Sequence, residues 1–139
     1  MTNQEKQHKL VEALGNYIAQ YVEENSPVTR GFQPYVLSIE ICGTENLAML
    51  KVARDAAQPD SLQLRLQLGV VRKGTDRLYS NFMPAADAQE TVRILRDPAT
   101  HEQWLEQIKH LSDSVDDFWD EKRKEIYTYE KSDLFPQPQ

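Results

Sequence analysis

Between residues 62 and 70 the chain alternates. Leu62, Leu64, Leu66, Leu68 and Val70 are separated by Gln63, Arg65, Gln67 and Gly69. A two-residue period marks a strand with one buried face. The leucines therefore point to the core, and Arg65 and Gln67 look away from it. Lys73-Gly74-Thr75-Asp76 then reads as a two-residue hairpin loop with glycine first. That loop sets Tyr79 opposite Val70, Asn81 opposite Leu68 and Met83 opposite Leu66 on the core side. Val71, Leu78 and Phe82 fall on the other face, beside Arg65 and Gln67.

Upstream, PYVLSIEICGTENLAMLKVAR reads as two strands around a loop at Gly43–Asn46. Pairing Ile41 with Ala48, Ile39 with Leu50 and Leu37 with Val52 gathers apolar residues on one face, which a one-residue slip would undo. The same register sets Ser38 opposite Lys51 and Glu40 diagonal to Lys51, predicting a cross-strand ion pair. Residues 44–57 also hold good helix formers, but their helical projection is apolar on most sides, which favours the strand.

Helical spacing brackets this sheet. Leu10, Val11, Leu14, Ile18, Tyr21 and Val22 form one stripe of a helix from Thr2 to Glu24. Thr2 and Glu5 match a capping box at its start, and Asn25-Ser26-Pro27 ends it. Pro84-Ala85-Ala86-Asp87 leads a short helix through Arg96, with Ala88, Val92 and Leu95 inward. A long helix follows from Pro98 or Thr100 to Tyr129, with Thr100 and Gln103 as a second capping-box match. Its apolar stripe includes Trp104, Leu105, Ile108, Leu111, Val115, Phe118, Trp119, Ile126 and Tyr129. Glu106, His110, Asp113, Asp117, Asp120 and Lys124 oppose that stripe. The expected architecture is α+β: an N-terminal helix, a four-stranded antiparallel β-meander, a short helix and a long C-terminal amphipathic helix. Residues 1–139 form one domain, with 133–139 as a flexible tail.

Charge divides the chain into three parts. The net charge of −6 is the sum of −3 over residues 1–50, +3 over 51–96 and −6 over 97–139. An acidic whole argues against a general nucleic-acid binder. No apolar run reaches the roughly 20 residues that span a bilayer. The N-terminus has no apolar signal region, and Cys42 is the only cysteine, so no intrachain disulfide forms. A cytoplasmic, non-membrane protein is the expectation.

The candidate chemistry is sparse. Asp116-Asp117-Phe118-Trp119-Asp120 spells D-D-x-x-D, a string with which prenyl-diphosphate enzymes hold magnesium. No second aspartate-rich motif exists to share the ion, and Asp113, Asp117 and Asp120 lie where an amphipathic helix must be wet. Carboxylates on one convex helix hold divalent ions weakly, which also disposes of His110, Asp113 and Asp117 as a simpler metal site. There is no H-E-x-x-H, C-x-x-C or G-x-S-x-G, and Cys42 has no activating base nearby in sequence. No catalytic residue, metal ligand or cofactor is therefore assigned.

The expected function is a non-enzymatic protein-interaction or adaptor module, as a homodimer, with a protein partner or a second copy of itself as occupant. The candidate surface is Arg65, Gln67, Val71, Arg72, Arg77, Leu78 and Phe82. Apolar Val71, Leu78 and Phe82 on an otherwise polar face need a cover. The alternative is a binder of a small anion or phosphate, using Arg65 with Arg72 or Arg77.

Overall fold

A computed structural model describes residues 2–25, 32–55 and 62–134, with side chains up to Lys122. The order is α1 (Asn3–Glu24), β1 (Tyr35–Glu40), β2 (Asn46–Arg54), β3 (Leu64–Arg72), β4 (Leu78–Phe82), α2 (Ala88–Arg96) and α3 (Pro98–Leu134). The strands form one antiparallel meander, β1-β2-β3-β4. This is the α+β architecture expected from the alternation.

The leucine ladder of β3 faces the helices. Leu64, Leu66, Leu68 and Val70 are all 3% exposed or less, and Ala48, Leu50 and Val52 of β2 lie beside them at 0%. Against them pack Val11, Leu14 and Ile18 of α1 and Trp104, Ile108 and Val115 of α3, all in one hydrophobic cluster. Leu62 departs from the pattern. It precedes the first paired residue of β3 and remains 45% exposed.

The β3–β4 register is as expected, with Val70 opposite Tyr79 and Leu68 opposite Asn81. Met83 N donates to Leu66 O at 3.0 Å, continuing it. The connecting turn differs. Thr75 N donates to Arg72 O at 3.1 Å, so Gly74, at φ +78°, is the third residue of its turn. That is the type II position that wants positive φ.

The β1–β2 register is corrected by two residues. Ile39 faces Ala48 and Leu37 faces Leu50, because Ile41 N donates to Asn46 O and Thr44 N to Ile41 O, so the four-residue loop is Cys42–Glu45 and starts one residue earlier than expected. A two-residue shift keeps every side chain on its face, so the core survives while the cross-strand partners change. Lys51 now faces Val36. Glu40 pairs with Lys73 at 2.7 Å instead of with Lys51.

The helix termini follow their caps. Glu5 N donates to Thr2 Oγ1 at 3.2 Å. α2 starts at Ala88, after Pro84–Asp87, because Asp87 accepts from Glu90 N at 2.8 Å. Asp97, rather than Thr100, caps α3, accepting from Ala99 N at 3.0 Å. α3 outruns its expected end at Tyr129 and continues as helix to Leu134, so residues 133 and 134 belong to it. The rest of the expected tail, Ser26-Pro27, and residues 56 and 57 lie outside the described residues. So do the side chains of Lys124, Ile126 and Tyr129.

The three helices meet at Gly15. A Cβ there would lie 2.4 Å from Leu95 O and 2.8 Å from His101 Nε2. Glycine lets α1 approach the end of α2 this closely. His101, 3% exposed, donates from Nε2 to Leu95 O at 2.6 Å, which fixes the ring in the junction. Arg96 forms an ion pair with Glu23, a second tie between α2 and α1.

Candidate functional site

The sheet face turned away from the helices is a grid of three rows. Register sets Val36, Lys51, Gln67 and Phe82 in one row. Ser38, Met49, Gly69 and Ser80 form the next, and Glu40, Leu47, Val71 and Leu78 the third. Two-residue alternation makes this face wherever the other face is core. Val36, Leu78 and Phe82 are 42%, 43% and 61% exposed. Leu47 and Met49 are half-buried, and Val71 is buried between its strand neighbours. Leu78 folds over Gly69, where a Cβ would meet its Cδ1 at 2.6 Å. The apolar centre of the face is therefore lined by Leu47, Met49, Val71 and Leu78, with Val36 and Phe82 at two corners.

Five of the seven expected surface residues share this face: Arg65, Gln67, Val71, Leu78 and Phe82. Arg72 and Arg77 sit on the helix side, at the hairpin end. Arg77 lies over the Phe118 ring at 4.3 Å and over Tyr79 at 5.4 Å, and Arg72 lies 5.9 Å from the Trp119 ring. Asp116 accepts from Asn46 Nδ2 at 3.1 Å and lies 4.0 Å from Arg72. Asn46, fully buried, also donates to Ser112 Oγ at 2.7 Å. These groups latch α3 to the hairpin. Arg65 is seven residues from Arg72 along the strand, or about 23 Å, so an anion site joining Arg65 to Arg72 or Arg77 is not assembled.

Charge on the open face is graded. At the hairpin end, Lys73 holds Glu40. That hydrogen bond, then the cation's field, lowers the Glu40 pKa below its ordinary value, and the Glu40 bond raises that of Lys73. At the opposite end, Arg65 lies 3.4 Å from buried Asp55 and 5.9 Å from the Phe82 ring centroid. Lys51, Ala53, Gln67 and Phe82 join them around a concavity of about 220 Å³. Lys51, Ala53 and Asp55 were missed in the sequence. Finding them needs the β2–β3 register, in which Lys51 faces Gln67 and Ala53 faces Arg65.

Elsewhere the titratable groups serve structure or solvent. Glu106, His110, Asp113, Asp117 and Asp120 are exposed on α3, whereas Asp116 turns inward. Larger concavities of about 590 and 460 Å³ share Gln4, Leu105 and Glu106 between α1 and α3. Exposed Glu5, Lys9, Glu102 and Lys109 line them with both signs of charge. Cys42, half-buried at the rim, donates its backbone N–H to Gln7 Oε1 at 2.8 Å. Among the described residues no group of three or more His, Cys, Asp or Glu is placed to hold a metal ion. No helix among them is long and apolar enough to cross a membrane.

The chain matches no family model, no curated protein and no solved structure.

Proposed function

We propose that this chain is a non-enzymatic interaction module whose open sheet face takes a second copy of itself. One observation carries the reading. Leu47, Met49, Val71 and Leu78 adjoin on the open face of the sheet, with Val36 and Phe82 at two corners, and Phe82, the largest of them, is 61% exposed. An antiparallel sheet with one wet face ordinarily alternates polar residues there, and contiguous exposed apolar area marks contact surfaces.

Size and charge favour a self-complementary contact of modest strength. Three rows on four strands cover roughly 400 Å² of sheet, about half of what each partner gives to a standard interface. The protomer buries its own core, so it folds without help. A reversible dimer, rather than an obligate one, suits both facts. The face is neutral at the Glu40–Lys73 end and basic at the Lys51–Arg65 end. A twofold axis lying across the strands sets each basic end against the other copy's neutral end, so like charges do not meet.

Sedimentation across a concentration series tests this. The mass should rise toward twice 16.1 kDa with concentration, and Leu78→Lys should hold it at one chain while leaving the fold intact. A wild-type chain that stays monomeric throughout, or a Leu78→Lys variant that dimerises as before, overturns the reading.

A further inference from the structure

We infer that the basic end of the open face is a binding site for a monoanionic carboxylate carried on a flat apolar body. This does not rest on the dimer reading, since the pocket is formed within one chain.

The first argument is charge. Asp55, 6% exposed, neutralises Arg65 from one side, with Oδ1 3.4 Å from the Arg65 terminal nitrogen. Arg65 Nε is shielded from solvent and makes no hydrogen bond. Arg54, which also lines the pocket, makes an interaction of its own. Lys51 is half-buried and makes no ion pair among the described residues. Of the three cations that line the pocket, Lys51 alone has no side-chain interaction among the described residues, so one positive charge is left open to a ligand. That matches a carboxylate better than a phosphate dianion, whose second charge would face the Asp55 carboxylate unpaired.

The second argument is shape. Phe82 stands beside Arg65 and leaves an open ring as one wall, and Ala53 contributes a second small apolar surface. Gln67 is held by its own bond, Nε2 donating to Ser80 Oγ at 3.0 Å, so that side of the pocket is preorganised. A planar ligand can lie on Phe82 while its carboxylate reaches Lys51 and the Arg65 guanidinium, both of which line the pocket. About 220 Å³ admits a single ring with its acid group and little more. The larger α1–α3 concavities have no Phe, Tyr or Trp in their lining to serve as such a wall, and their charged residues are exposed.

The carboxylate can come from a free small acid or from an acidic side chain of a second copy. Both present the same group to Lys51 and Arg65, and the test separates them. Benzoate, its neutral isostere benzamide, and inorganic phosphate are titrated into the full chain while backbone amides are followed by NMR. Benzoate should bind saturably, with a dissociation constant on the order of millimolar for so few atoms. The affected amides should centre on Lys51, Gln67 and Phe82. Benzamide should give no saturable shift, and phosphate should bind more weakly than benzoate. Lys51→Met should weaken benzoate by about tenfold or more, and Arg77→Met should leave it unchanged. The Leu78→Lys chain provides the second arm. Equal benzoate affinity in wild type and Leu78→Lys identifies a free acid as the ligand. Weaker binding to wild type, with benzoate dissociating the dimer, identifies the second copy. Absence of saturable benzoate binding in both chains overturns the site, as does an equal response to benzamide or full affinity in Lys51→Met. Dimer mass is read separately, so either proposal can fail alone.

Discussion

On the helix-covered face of the sheet, Ala48, Leu50, Val52, Leu68 and Val70 have lost all contact with solvent. One strand thickness away, Val36, Leu78 and Phe82 keep 42%, 43% and 61% of theirs. The same alternating chain supplies both faces, so side-chain type alone does not set burial. On the covered side every residue of the central strands from Ala48 to Val52 and from Leu64 to Val70 that points inward is apolar. On the open side apolar residues share rows with Lys51, Gln67, Ser38, Ser80 and Glu40. One face is written to be sealed within the chain. The other mixes apolar and polar residues, which is the composition that the proposed reversible contact would need.

The largest expected difference between the faces is in stability. Leu68→Ala empties a fully buried site, and comparable core truncations cost about 2–5 kcal/mol. Phe82→Ala removes a larger side chain from the open face and should cost less than about 1 kcal/mol, as surface changes generally do. Urea unfolding of both variants at concentrations where the chain is monomeric checks this. Equal costs would show that Phe82 is covered within the monomer, and the two faces would no longer be distinct.

A smaller effect tests how the covered face is closed. Gly15→Ala puts a methyl against the Leu95 carbonyl, a backbone atom that cannot step aside as a flexible side chain would. Overpacking of this kind costs about 1–3 kcal/mol, against roughly 1 kcal/mol gained from alanine's helix propensity. Displacing Leu95 O also strains its hydrogen bond from buried His101. Net destabilisation by about 1–2 kcal/mol is expected in thermal or urea unfolding. The equivalent change on the open face, Gly69→Ala, meets the movable tip of Leu78 first and should be milder. A stabilised Gly15→Ala variant would mean that α1 can retreat from α2, and that the junction is looser than the sealed face requires.

Face membership was legible in the sequence because parity survives errors that register does not. The inward leucines from Leu64 to Leu68 and the exposure of Leu78 and Phe82 followed from counting by two, and Val70 opposite Tyr79 from where the hairpin loop was placed. Even the misplaced β1–β2 pairing left each residue on its proper side, since its error was two residues. What depended on the absolute β1–β2 and β2–β3 registers was lost. Glu40 took Lys73 rather than Lys51, and the pocket residues Lys51, Ala53 and Asp55 could not be assembled without the β2–β3 alignment. Arg72 and Arg77 were misjudged for another reason. Long side chains at a hairpin end reach whichever surface offers a partner, and here α3 supplies Phe118, Trp119 and Asp116. No local pattern announces that a helix some forty residues later will arrive at that corner.

The smallest expected effect concerns the charge gradient on the open face. The Glu40 carboxyl is held below its ordinary pKa, first by the hydrogen bond from Lys73 and then by that cation's field. Its stabilising contribution is therefore present above the unfolded glutamate value and is lost as pH falls through the folded one. Lys73 is raised, first by the same hydrogen bond, so its contribution is complete below the unfolded lysine value and fades as pH rises through the folded one. The pair is intact across the neutral range and weakens at both extremes. Both partners are exposed, so salt should screen it and its share of stability is slight. The readout is local: a carbon-detected NMR titration of the Glu40 carboxyl should show its midpoint rising toward the ordinary glutamate value in Lys73→Met. An unmoved midpoint would leave Glu40 unpaired in solution. The two charges at the hairpin end would then be independent, and no ion pair would hold that end of the face neutral, residue against residue.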